Sequence, residues 1–258
     1  MYNFNSCAII WDKFCESKRK DQEEQFKMKT PAILKRAAAV VLAAGMIVGL
    51  AACGSGSSGS SSGKEAYKEY VTGIMDANYL GSYDKYMEIT GATEEEAQKI
   101  YELNVQDFTQ EIGDALSIKM DMISAGLTER ISTMAKTVYG QASYQAVDVL
   151  RDGDTYTVTM EIEPVLFFGT LQTDFQSAVD DFNNRAKNGE LDDLSEQEYE
   201  EAYGEAVISA LEGKTSAMTR GSKINVDVVL DYDKENNVYV ISDERMEALD
   251  DKVVNMSR

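Results

Sequence analysis

Val147-Asp148-Val149-Leu150-Arg151-Asp152-Gly153-Asp154-Thr155-Tyr156-Thr157-Val158-Thr159-Met160-Glu161-Ile162 decides the fold. Tyr156, Val158, Met160 and Ile162 alternate with Thr155, Thr157, Thr159 and Glu161. That period of two belongs to a half-buried strand. Val147 and Val149 lead to Asp152-Gly153, which supplies the residues of a tight hairpin turn. Pro164 cannot donate to a ladder and ends the strand or marks an edge. A second alternating run is Ile224, Val226, Val228 and Leu230. Asn236-Asn237 tolerates left-handed turn geometry there, and Val238–Ile241 returns.

Outward from the hairpins the apolar period lengthens to that of helices. Tyr67, Tyr70, Val71, Ile74 and Met75 predict an amphipathic helix from Glu65 to about Asn78, stopped by Gly81. Tyr83, Tyr86, Met87 and Ile89 predict a short second one. Thr93 and Glu96 form a capping box, in which hydroxyl and carboxylate satisfy first-turn amides. Its helix carries Ala97, Tyr101, Val105, Phe108, Ile112 and Leu116 on one stripe. Leu127, Ile131, Met134, Ala135 and Val138 form the next stripe, closed by Gly140.

Between the hairpins, Leu171, Phe175, Ala178, Val179 and Phe182 share a helical face. Ser195 and Glu198 make a second capping box ahead of Tyr199, Ala202, Tyr203, Ala206, Val207, Ala210 and Leu211. The acidic run Glu190–Glu198 reads as an exposed loop. Met246, Leu249 and Val253 give a closing helix. The expected fold is α+β: N-terminal helices, then two β-hairpins forming one antiparallel sheet, separated by a helix pair, with a C-terminal helix.

Absences limit the chemistry. The chain has no histidine, and its three cysteines are Cys7, Cys15 and Cys53. Residues 64–258 therefore hold no Ser-His-Asp or Cys-His machinery, no histidine or thiolate zinc site and no disulfide. The first 52 residues take 5 of the 45 acidic and 8 of the 25 basic residues; 40 and 17 remain, a formal charge of −23. Such a surface repels nucleic acid and anionic lipid alike. No nucleic-acid partner and no cofactor are expected.

The anchor is written just upstream. Met28, Lys29, Lys35 and Arg36 precede sixteen small or apolar residues, Ala37 to Ala52. A basic start, a short apolar run and small residues before a cut site define a secretory signal. Leu50-Ala51-Ala52-Cys53 closes it and opens onto Gly54-Ser55-Gly56-Ser57-Ser58-Gly59-Ser60-Ser61-Ser62-Gly63. Apolar, small, small, cysteine is the pattern of a bacterial lipobox, and here the chain resembles Gram-positive surface lipoproteins. The resemblance implies a diacylglyceryl group on the Cys53 thiol and cleavage before it. Two acyl chains suffice for a stable anchor, since one anchors only marginally at roughly 0.8 kcal/mol per buried CH₂. Over about residues 64–255 the element order is similar to an uncharacterised domain of such lipoproteins, which brings no catalytic residues with it.

The expected organisation is a mis-assigned start or cytosolic extension over 1–27 and a lipoprotein signal peptide over 28–52. A lipidated Cys53 and Ser/Gly tether follow over 53–63. Residues 64–258 then form a single extracytoplasmic α+β domain. Translation from Met28 would give an ordinary signal peptide.

Candidate sites inside that domain compete with plainer readings. Asp231-Tyr232-Asp233-Lys234-Glu235-Asn236 begins like an EF-hand loop, but Asn236 stands where glycine is needed and Ser242 where glutamate is needed. A solvated hairpin turn is the expectation, and no metal site. Asp180-Asp181 falls on the wet side of a helix and Asp192-Asp193 in a loop. Paired carboxylates hydrolyse glycosides only when their separation in space allows it. Tyr67, Tyr70, Tyr79, Tyr83, Tyr86 and Tyr101 pack as core or line a carbohydrate or peptide groove. Phe167-Phe168 is a buried pair or an exposed docking loop.

The resulting expectation is a membrane-anchored, extracytoplasmic, non-enzymatic binding domain, held by lipidated Cys53 and facing an unidentified protein or cell-envelope ligand. The alternatives are a cell-envelope hydrolase using paired carboxylates and a substrate-binding component of a transporter. The latter ordinarily needs two α/β lobes.

Overall fold

The computed structural model describes residues 61–234 and 238–258. The sheet is four-stranded and antiparallel, in the order β1-β2-β4-β5. β1 spans Tyr144–Asp152, β2 Thr155–Ile162, β4 Ile224–Asp233 and β5 Val238–Val240. The two hairpins meet along β2 and β4, which align Val158 with Val228 and Met160 with Val226. Gly153 turns the first hairpin at φ +59°. The inward row Val149, Val158, Val228 is buried, whereas Leu150 and Val229 flank Thr157 on the outer face.

One strand departs from simple alternation. The β1–β2 register slips between Ala146 and Asp148, leaving Val147 as the extra residue of a bulge. A bulge reverses the facing of the residues beyond it. Val149 is therefore buried while Val147 stays 40% exposed, and the two do not share a face.

α1 spans Ser61–Met75 and lays Tyr67, Tyr70, Val71 and Ile74 into the core. It passes into one π-helical turn, Asp76–Leu80, and stops at Gly81, whose φ of +61° suits glycine. α2 (Asp84–Thr90) follows, then α3 (Glu94–Ala115) with the Thr93–Glu96 capping box closed in both directions. The carboxyl of Glu96 is held below its usual range by the Thr93 N–H and hydroxyl. α3 does not run on into the next helix. Ser117 turns the chain at φ +61°, and Ser124 caps α4 (Ala125–Tyr139) by accepting from the Leu127 N–H at 3.2 Å.

β3 (Val165–Leu166) leads directly into α5 (Phe167–Lys187), so the Phe167-Phe168 pair begins a helix and is buried. α6 (Glu196–Leu211) starts at the Ser195–Glu198 box, and the stretch before it is exposed apart from Leu191. Its core-facing residues are Gly204, Val207, Ile208 and Leu211, while Ala206 and Ala210 sit half-buried against α5. The apolar spacing alone centres the core face on Ala206. Gly204 explains the rotation: a Cβ there would lie 2.7 Å from Leu127 Cδ2, so α4 and α6 meet at a glycine.

α7 (Asp243–Val253) buries Met246, Leu249 and Val253 as expected. β6 (Val254–Asn255) then pairs in parallel with β3. Beyond it, the Arg258 guanidinium donates to the Ala115 carbonyl and lies 4.8 Å from the Phe168 ring centroid. A two-residue pair has no readable period, so neither strand is legible in the sequence. Among the described residues, no helix is long and apolar enough to cross a membrane.

Candidate functional site

The sequence-flagged tyrosines divide into two groups. Tyr67 stacks on Tyr156 at 3.7 Å between centroids and meets Tyr239 edge-on at 5.4 Å, all on the inner face of the sheet. The Tyr70 hydroxyl donates to the Tyr239 carbonyl at 2.8 Å. Tyr79, fully buried, donates to Asp250 Oδ1 at 2.6 Å. Tyr86 is buried as well. These four are core, as their helical spacing favoured.

Tyr83 and Tyr101 are different. Both are half-buried, and both line a groove of about 490 Å³ between α3 and α4. Local structure puts them there. Gly81 ends the π-helical turn with the chain reversing past α3, and its bare Cα leaves room for the Tyr101 ring. A Cβ on Gly81 would meet that ring at 3.3 Å. Burial raises the Tyr101 phenol above its ordinary value. Burial also raises that of Tyr83, with Tyr101, Glu102 and Glu94 adding to it.

The α3 wall continues through Gln98, Glu102, Val105, Gln106 and Thr109, spaced to share one helical face. Gln98 Nε2 donates to Glu102 Oε1 at 2.7 Å on the exposed side of the helix. Val105 and Thr109 are buried and form the floor, with the Thr109 hydroxyl donating to the Val105 carbonyl at 2.6 Å. Thr128, Glu129, Ser132 and Lys136 of α4 make the opposite wall. Lys136 Nζ stands 3.9 Å from Glu129, a loose and exposed pair of little energetic weight. Behind α3, Asn104 Nδ2 donates to the Asn78 carbonyl of the π-helical turn, while its buried Oδ1 has no partner among the described residues.

The other sequence-flagged groups are not brought together. Asp231 lies in β4 and accepts from Arg245, and Asp233 is in the same strand. Glu235, Asn236 and Asn237 fall outside the described residues. Asp180, exposed, accepts from Gln176 at 3.1 Å. Asp181 borders a second groove of about 370 Å³ between α5 and α6, beside Phe182 and Arg185. Asp192 and Asp193 are exposed in the loop before α6. Among the described residues, no group of three or more acidic or cysteine side chains is placed to hold a metal ion. Cys53 and the whole stretch 1–60 lie outside the described residues, as does the tether up to Ser60.

Chemically, the α3–α4 groove offers ring faces, side-chain amides, hydroxyls and carboxylates over an apolar floor. Such a set is suited to binding by stacking and hydrogen bonding. Sequence reasoning marked its two tyrosines but not Gln98, Gln106 or Ser132. On an exposed helix face such residues read as ordinary solvated surface, and only the pairing of α3 with α4 gathers them.

The sequence matches no family model and no curated protein. One solved structure is similar in fold: the crystal structure of YcdA, a lipoprotein candidate of Bacillus subtilis. The TM-score is 0.53 at 15% sequence identity, over 74% of this chain and 56% of that one. The chain thus spans little more than half the length of the protein it resembles. At this identity the likeness is one of fold.

Proposed function

We propose that this chain is a lipoprotein anchored at the extracytoplasmic face of the membrane through Cys53, and that its α+β domain binds a ligand without catalysing a reaction. The observation that carries the reading is Leu50-Ala51-Ala52-Cys53, set between a basic-then-apolar leader and a Ser/Gly tether. Fold likeness to a lipoprotein candidate supports it. The binding role draws its support from the mixed groove between α3 and α4. Of the two aspartate pairs a hydrolase would use, Asp180 and Asp192-Asp193 are exposed and Asp181 borders the α5–α6 groove, so they lend that alternative no particular support. A transporter's binding component would need two α/β lobes, where the described residues form one antiparallel sheet with a two-residue parallel pair.

Metabolic labelling of cells with a fatty-acid analogue tests the anchor. Wild-type protein should take up label, and Cys53→Ala should not and should remain as uncut precursor. Equal labelling of the two would refute the assignment.

A further inference from the structure

We infer that the groove between α3 and α4 is a saccharide-binding site, selective for neutral or amine-bearing sugars over anionic ones. The inference deepens the reading of this chain as an anchored binding domain and rests on it. Three features point to a sugar. First, Tyr83 and Tyr101 line the groove with two half-buried rings, a surface type on which the C–H face of a pyranose stacks. Second, the α3 wall carries planar polar groups before and after Tyr101 (Gln98, Glu102 and Gln106), of the kind that engage adjacent hydroxyls in pairs. Third, Val105 is the single aliphatic lining residue, so the groove lacks the apolar seam that an acyl chain or an amphipathic helix requires.

Charge narrows the class. Glu102 and Glu129 outnumber Lys136 in the lining, and the chain from Cys53 onward carries 40 acidic against 17 basic residues. A carboxylated or phosphorylated glycan would be repelled locally and at long range. Size agrees. About 490 Å³ falls within the ~300–1,000 Å³ of small-molecule sites. The Tyr101 ring is packed against the bare backbone of Gly81. Ordering the exposed Gln98, Glu102 and Gln106 side chains is the cost that binding has to meet.

The full-length protein in detergent, titrated calorimetrically with chitotetraose and with its deacetylated form, tests this. Saturable binding of at least one is expected, weakened about tenfold or more by Tyr83→Ala, which corresponds to ~1.4 kcal/mol. Gln106→Ala, on an exposed helix face where folding is not at stake, should weaken it several-fold. Asp181→Ala in the α5–α6 groove should leave it unchanged. No saturable binding of either sugar overturns the proposal, as does binding indifferent to both Tyr83→Ala and Gln106→Ala. Equal or tighter binding of an acidic oligosaccharide or a basic peptide at the same residues overturns it too. Acyl labelling at Cys53 is read in cells and sugar binding on purified protein, so failure of one is distinguishable from failure of the other.

Discussion

Tyr79 and Tyr83 stand four residues apart and end in opposite surroundings. In an uninterrupted α-helix that spacing would put them on one face. Instead the π-helical turn Asp76–Leu80 seats Tyr79 in the core with its hydroxyl on Asp250, and Gly81 swings Tyr83 out to the α3–α4 groove. The same residue type therefore serves packing on one side of the turn and an accessible surface on the other. The break in the helix, rather than the amphipathic period, brings Tyr83 to the groove that α3 and α4 form.

The widest gap should appear between Tyr79→Ala and Tyr83→Ala in urea melts. Removing a fully buried aromatic ring costs about 3–5 kcal/mol, and Tyr79 also loses its bond to Asp250. Tyr83→Ala should cost about 1 kcal/mol or less, as for a partly exposed site. Comparable losses would erase the distinction between core and groove tyrosines.

Next comes Gly204→Val. Its side chain would press into Leu127 where α4 meets α6, and overpacking of this kind costs about 1–3 kcal/mol. A neutral result would show that α4 can shift, and with it the groove wall that α4 supplies.

Tyr203→Phe sharpens the comparison, because this tyrosine is half-buried yet donates to the Leu116 carbonyl at 2.9 Å. The lost bond should cost about 1 kcal/mol at neutral pH. Burial, with the Glu200 charge adding, pushes its phenol up to about 12. The unfolded chain ionises near 10, so the stability tied to the neutral phenol is whole below pH 10 and is lost as pH rises through about 12. The wild-type protein should therefore weaken over that window more steeply than the variant. Parallel pH profiles would show the hydroxyl already solvated. Smallest of all, Asp192→Ala in the exposed loop should stay within about 0.5 kcal/mol. A larger loss would make that loop a structured element of its own.

Sequence reading reaches most of the fold because its signals are local. Both capping boxes, the Asp152-Gly153 turn and the alternation of β2 each lie within a few residues of the structure they specify. The features that escape it depend on distance or on a one-residue irregularity. The bulge at Val147 leaves no mark in the pattern, Gly204 looks neutral until Leu127 is opposite it, and β3 and β6 are joined across 89 residues. The candidate site is half legible. Its rings stand out by residue type, whereas Gln98, Gln106 and Ser132 acquire meaning only when two helices bring them to one groove.

The pairing of β6 with β3, and the reach of Arg258 back to Ala115 and Phe168, also set the order in which the domain can be completed. Contacts this distant in sequence form late, because the intervening loop must close first. A chain delivered N-terminus first can form the Asp152-Gly153 hairpin early. The β3–β6 latch, however, waits for residues 89 positions further on. Until residues 254–258 emerge, β3 has only the Thr219–Arg220 stretch against it and the Ala115 carbonyl lacks its Arg258 donor, so this seam closes after the hairpin it flanks.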